Sequence, residues 1–253
     1  YNLGFLLSDG KTKVVNYKNP NNLLNTFREG QTLGEIWCFE TIGLFQDQAQ
    51  IDNNPTQSTM WGGTWKPGDV QYKDLNGDNQ LDWGNSTTDD PGDRKIIGNS
   101  TPRYNYSINA GASYKGIDLS MFWQGVGKRD VWAGGPYTFG AVGNLWQSAG
   151  LKPHLDYWTE DNTDAYYPRP TFNSAWRNQE TQTRYLQNGA YLRLKNVTLG
   201  YSFQTALKTK LRLSKLRVYV TGENLLTFTK MSDVYDPEAT GGYWGNGKIY
   251  PLQ

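Results

Sequence analysis

Little in this chain is equipped for chemistry. Of its 253 residues one is a cysteine, Cys38, and one a histidine, His154. A single thiol excludes an internal disulfide, and with it the disulfide-stapled class of small secreted domains. A single imidazole excludes a two-histidine metal centre and leaves little scope for histidine acid–base catalysis. Charge nearly cancels, with 25 basic against 24 acidic side chains and a net +1, so no global field draws the chain to nucleic acid. No run of about 18 apolar residues occurs, which excludes a transmembrane helix. Spanning β-strands stay open, because each needs only about 10 alternating residues. The opening "YNLGFLLSDG" has no basic n-region or cleavage site and reads like the middle of a strand.

What is abundant is aromatic. Phe, Trp and Tyr make up 14% of the chain, with 10 Trp and 17 Tyr. Such a mixture suits surfaces where rings meet a membrane interface or a sugar. The rings fall into a period of two. In "YNYSINAGASY", residues 104–114, one face carries Tyr104, Tyr106, Ile108, Ala110, Ala112 and Tyr114, and the other Asn105, Ser107, Asn109, Gly111 and Ser113. Rings end the apolar face and small residues fill its middle, the pattern of a lipid-facing strand with aromatic girdles. A tight turn at "KGID" leads into "LSMFWQGVG", where Leu119, Met121 and Trp123 alternate with Ser120, Phe122 and Gln124, so the two strands read as a hairpin.

Two further long strands lie near the end. In "YLRLKNVTLGYSF" Val197, Leu199, Tyr201 and Phe203 share a face, and counting back in twos puts Arg193 and Lys195 on it, as if the strand had left the hydrocarbon there. In "LRVYVTGENLLTF" Leu216, Val218 and Val220 oppose Arg217, Tyr219, Thr221 and Glu223. The links "KGID" and "QTALKTKLRLSK" are short, whereas 125–189 and 229–248 are long and lie at the other strand ends. That asymmetry belongs to outer-membrane barrels. The segment "PHLDYWTEDNTDAYYPR" is expected to include a short helical turn, and "GEIWCFETIGLFQ" a strand pair in a loop or at the rim.

Two sets of residues are candidates for binding. Asp74, Asn76, Asp78 and Asp82 occupy relative positions 1, 3, 5 and 9 of "DLNGDNQLDWGN", the oxygen offsets of a calcium loop, and so are candidate ligands for a structural Ca²⁺. The glycine falls at position 4 and Asn85 replaces the closing Glu, so Asp89, Asp90 or Asp93 would have to complete such a site. The other reading is an Asx-rich turn whose side chains bond their own backbone. Trp61, Trp65, Trp132, Trp146 and Trp158, with Trp176 and Trp244, lie in expected loops, where rings could stack on cargo or pack among themselves. Acidic stretches such as "EDNTD" and "TTDDPGD" show no fixed separation of the kind a glycosidase pair requires, and no catalytic residue is assigned.

The blocks "EGQTLGEIWCFETIGLFQ", "KPGDVQYKDLNGDNQLD", "DRKIIGNSTPRYNYSINAGASYKGIDLSMFWQGV", "HLDYWTEDNTDAYYPRP", "NGAYLRLKNVTLGYSF" and "LRVYVTGENLLTFT", with a later "YDPE", resemble the C-terminal half of SusC/RagA-type TonB-dependent outer-membrane receptors. The resemblance runs in order along nearly the whole chain. It implies an all-β fold: an antiparallel transmembrane β-barrel segment, incomplete because far fewer than about 22 strands are present, with long extracellular loops. Residues 1–253 would be the C-terminal portion of the barrel, the plug domain and TonB box being absent from this chain. The implied function is TonB-dependent import of oligosaccharides or peptides across the cell outer membrane, without catalysis. The implied partners are a SusD-like surface lipoprotein, TonB acting through the missing N-terminal region, and outer-membrane lipid, with no nucleic acid. The alternative is a secreted soluble β-sandwich that binds carbohydrate and is stabilised by calcium. The two readings differ in one physical respect: the apolar rows face lipid in the first and a second packed layer in the other.

Overall fold

The computed structural model describes residues 1–60, 63–134, 136–140, 150–171, 175–203 and 213–240. Its largest element is an antiparallel five-stranded sheet. The strands are β1 (Asn2–Ser8), β6 (Arg103–Tyr114), β7 (Ile117–Lys128), β10 (Tyr191–Ser202) and β11 (Arg217–Thr229), hydrogen-bonded in that order. Among the described residues the sheet does not close on itself, and β1 and β11 are its edges.

The register sorts side chains into continuous rows. Phe5, Ile108, Trp123, Leu194 and Leu226 form one row across all five strands. Ala112, Leu119, Leu199 and Val220 form another, and Tyr114, Ile117, Tyr201 and Val218 the next. Between them, on the opposite face, run Ser107, Gln124, Arg193 and Thr227, then Gly111, Ser120, Thr198 and Thr221. Phe122 and Tyr219 interrupt that polar face. The apolar face is covered by nothing among the described residues: Leu3 is 77% exposed, Phe5 66% and Val220 73%. None of these residues belongs to a buried core cluster. A sandwich would bury them under a second sheet; here they face outward, as a barrel wall requires.

Local sequence explains the turn. Tyr114 pairs with Ile117, leaving Lys115 (φ 49°) and Gly116 (φ 90°) as a two-residue hairpin turn that needs positive φ at both central positions. Every long connection leaves from the other end of the wall, beyond Ser8, Lys128 and Thr229.

One sequence expectation is corrected. Leu194 pairs with Trp123 while Asn196 pairs with Phe122, so Lys195 is an inserted bulge residue. The bulge reverses the alternation. Arg193 therefore lies on the polar face opposite Gln124, and Leu194 joins the apolar row. The strand does not leave the apolar band at Arg193; it changes phase to stay in it.

The long connections fold into a unit of their own. Strand β2 (Glu35–Phe39) pairs with β5 (Arg94–Asn99), β3 (Thr41–Leu44) with β4 (Val70–Tyr72), and β8 (Asp130–Val131) with β9 (Gln187–Asn188). "GEIWCFETIGLFQ" thus does yield two strands, but each pairs elsewhere and not with the other. Short helices α1 (Gln48–Asp52) and α2 (Pro136–Phe139) accompany them, α1 capped by Asp47, whose Oδ1 accepts from the Gln50 N–H at 2.8 Å. The expected helical turn in 153–169 is a 3₁₀ segment at Lys152–Leu155. The molecule's main core lies here, around Phe39, Phe45, Met60, Val70, Tyr72, Leu81, Phe139 and Tyr185.

Candidate functional site

Irregular backbone can be buried only if its polar groups find partners. In the loop unit, side-chain amides supply them. Gln57 imitates a strand neighbour for β4: its Nε2 donates to the Val70 carbonyl at 3.0 Å and its Oε1 accepts from the Tyr72 N–H at 2.8 Å. Gln182, fully buried, accepts from the Thr41 hydroxyl at 2.9 Å and donates to the Tyr72 phenol and the Asn178 carbonyl. Burial pushes the Tyr72 and Tyr185 hydroxyls well above their ordinary range, so both remain neutral donors.

Asp69 is fully buried, at 0% exposure. Its carboxylate accepts from the Lys66 N–H at 2.9 Å and from Asn178 Nδ2 at 3.0 Å, and ion-pairs with Arg169 at 3.2 Å and Arg177 at 3.9 Å. One carboxylate thereby ties residues 66–70 to two segments about a hundred positions further along the chain. A second ionic cluster sits at the β10 bulge. Arg193 bonds Asp236 at 2.9 Å and Glu238 at 2.7 Å, and Lys195 reaches Glu238 at 3.0 Å. Arg193 and Lys195 share Glu238, and the "YDPE" segment closes over them, its Tyr235 packed with Val131, Ala133 and Met231. The first cluster holds loop segments to one another, and the second holds a loop against the wall.

The Asp/Asn turn is similarly self-engaged. Asp74 accepts from the N–H groups of Gly77 (2.6 Å) and Asn79 (2.9 Å), Asn76 from Asp78, Asp78 from Gln80, and Asp82 from Gly84. Beneath it, Asp93 is fully buried and accepts from Leu75 N–H at 2.7 Å and Asp82 N–H at 3.0 Å. Burial raises the Asp93 pKa, and its backbone donors offset that only in part. Among the described residues no three carboxylate, histidine or cysteine groups converge in a way that would hold a metal ion. The oxygens accept from the turn's own amides, as in an Asx turn.

No family model matches the chain. It is 31% identical to TonB-dependent receptor P3 of Formosa agariphila over 252 aligned residues, which cover 94% of this chain and 23% of that receptor. The chain is homologous to part of a TonB-dependent receptor. TonB-dependent receptor P26 of the same organism is 26% identical, over 96% of this chain and 22% of its own length. The chain thus spans less than a quarter of the length of these relatives. In structure it is similar to the RagAB peptide transporter, with a TM-score of 0.59 and 24% identity over 89% of this chain and 22% of that one. The RagAB peptide importer in its closed-closed state gives 0.56 and 25%, over 91% and 23%. The exposed apolar rows are accordingly the outer face of a barrel wall.

Among the described residues, tryptophans take three settings. Trp123 lies in the apolar row, stacked on Phe228 with centroids 6.3 Å apart. Trp65 and Trp158 are buried in the loop core, 6% and 8% exposed. Trp65 meets the edge of Phe45, with the Arg177 guanidinium over its ring, and Trp158 donates its Nε1–H to Gln46. Trp132 packs on Phe139 at the border of the same core. Their rings are thus occupied by packing. Trp176, at 58% exposure, is the described loop tryptophan left open. Trp61, Trp146 and Trp244 lie outside the described residues. The two ionic clusters and the amide hubs Gln57 and Gln182 escaped sequence reading. Each joins residues far apart in the chain, and no local spacing marks them.

Proposed function

We propose that this chain forms the C-terminal portion of the wall and the outer loops of a TonB-dependent importer in the cell outer membrane. The importer would carry oligosaccharide or peptide with a SusD-like lipoprotein as its lid and TonB as its energy source, without catalysis. The observation that carries the reading is the wall itself: apolar rows up to five strands wide, exposed on one side and backed by a polar face. Lipid on one side and an aqueous bore on the other satisfy both faces at once. The names of the relatives, all receptors or transporters, support the same conclusion. Burial of Trp65 and Trp158 weakens the one feature that favoured sugar over peptide.

Sidedness tests this. In cells making the complete gene product, Asp161→Cys in the loop unit should react with a membrane-impermeant maleimide, whereas Lys215→Cys at the short-turn end should react only after permeabilisation. The native Cys38 is buried, its thiol pushed up to about 12, and gives no background. Equal labelling of both sites in intact cells, or the reverse pattern, would sink the assignment.

A further inference from the structure

Where the wall meets the loop unit there is a half-open cavity of about 290 Å³. Its wall side is Arg103, Tyr104 and Lys128, its loop side Thr32, Leu33, Glu35 and Asn99, and the connection leaving β1 lines it with Lys11 and Thr12. Its charges are unevenly matched. Arg103 is neutralised by Asp9, and Glu35 by Arg28 at 2.6 Å, both partners lying outside the lining. The nearby Asp130 carboxylate accepts the Asn99 N–H at 2.9 Å and does not line the cavity either. Lys11 and Lys128 pair with no carboxylate among the described residues. Two lysines, one on the connection after β1 and one at the end of β7, therefore line one space that is also lined by Thr12 and Thr32.

We propose that this cavity binds a phosphate-bearing sugar group. Two point charges suit a phosphate, which carries nearly two negative charges at neutral pH. The Thr12 and Thr32 hydroxyls suit sugar hydroxyls, and Leu33, Ile96 and Tyr104 give an apolar floor. The same chemistry could arrive on a glycolipid of the outer leaflet, since Tyr104 belongs to the apolar face of β6, or on a soluble phosphosugar.

The test uses the complete receptor in nanodiscs, with glucose 1-phosphate as the soluble probe and lipopolysaccharide-containing bilayers as the lipid one. The K11Q/K128Q double variant replaces two exposed side chains and should keep the wild-type melting temperature. It should lose at least tenfold in affinity for one probe, while Lys115→Gln at the opposite end binds like wild type. Loss confined to glucose 1-phosphate identifies a soluble ligand, and loss confined to lipopolysaccharide a lipid headgroup. Wild-type and double-variant receptors binding both probes equally, or neither binding either, would overturn the proposal.

Discussion

The Tyr106 ring passes over Gly125 of the neighbouring strand, and its hydroxyl donates to the Tyr191 carbonyl one strand further on, at 3.2 Å. A Cβ at position 125 would lie 2.5 Å from Tyr106 Cζ. The glycine is what lets one aromatic side chain bridge β6, β7 and β10 at the loop end of the wall. Gly125→Ala should therefore displace the ring and break that bond, at a cost of about 1–3 kcal/mol by the usual penalty for overpacking. The check is the urea midpoint of the complete receptor. Tyr106→Phe, which loses the bond without the clash, should cost only about 1 kcal/mol.

Lys195 tests the phase reversal. Deleting it leaves Arg193, Leu194, Asn196 and Val197 in plain alternation, each on the face it already holds, whereas deleting Leu194 puts either Lys195 or Arg193 opposite Trp123 on the apolar face. A charged side chain on the lipid face costs about 2–4 kcal/mol near the bilayer midplane. The Leu194 deletion should therefore fail to assemble, seen as loss of the heat-modifiable species on gels. The Lys195 deletion should assemble.

The ionic cluster at that bulge makes a separate prediction. Arg193 and Asp236 are 4% exposed each. Removing one member of a buried pair strands the other, so Arg193→Gln should cost about 3–5 kcal/mol. Its signature is local: protease sites within 231–240 should open while the wall stays resistant. Cleavage unchanged from wild type would show that Asp236 and Glu238 are held by something else.

Much of the wall was legible because its physics is local. Alternation in β6 and β7 and the Lys115–Gly116 turn follow from side-chain period and positive φ, both visible in a short window. The bulge was not legible. Nothing in "LRLKNV" marks Lys195 as the extra residue, and its place is set by which residues β7 and β11 present. The loop core was missed for a related reason. Its strands are short and its partners distant, so Gln57, Gln182 and Asp69 become hubs only once the chain has folded. Part of the aromatic content fills that core, where Phe39, Tyr72 and Tyr185 are buried, while Tyr104, Tyr114, Tyr219 and Phe228 stay exposed on the wall.

Asp93 links pH to the Asx turn. Its pKa is raised, so its contribution to stability is fullest below the ordinary 3.8 and falls away as pH climbs through the raised value. Asp93→Asn removes that titration but sets an amide N–H₂ against one of two backbone donors, at about 1–3 kcal/mol. Limited proteolysis at 74–82 should thus be faster in the variant and flatter with pH from 3.8 upward. Because the turn's oxygens are taken up by its own amides, a chelator should leave the wild-type cleavage rate unchanged. Protection by added calcium would reverse that reading.

Asp69 and Glu40 separate buried from exposed electrostatics within one unit. Glu40 bridges Lys73 at 3.4 Å and also Lys95, but all three are solvated, and such pairs contribute about 0–1 kcal/mol. Asp69 is sealed and serves two arginines, an amide and a backbone N–H. Asp69→Asn should therefore remove the carboxylate that Arg169 and Arg177 share and cost about 3–5 kcal/mol, whereas Glu40→Gln should be nearly silent. The loss from Asp69→Asn should be insensitive to ionic strength, since salt does not screen a buried pair as it does a surface one. Cleavage should then appear together near 60–70 and 160–180, the segments this one carboxylate joins, with the five-stranded wall intact. Opening at only one of them would mean that the two segments are anchored independently.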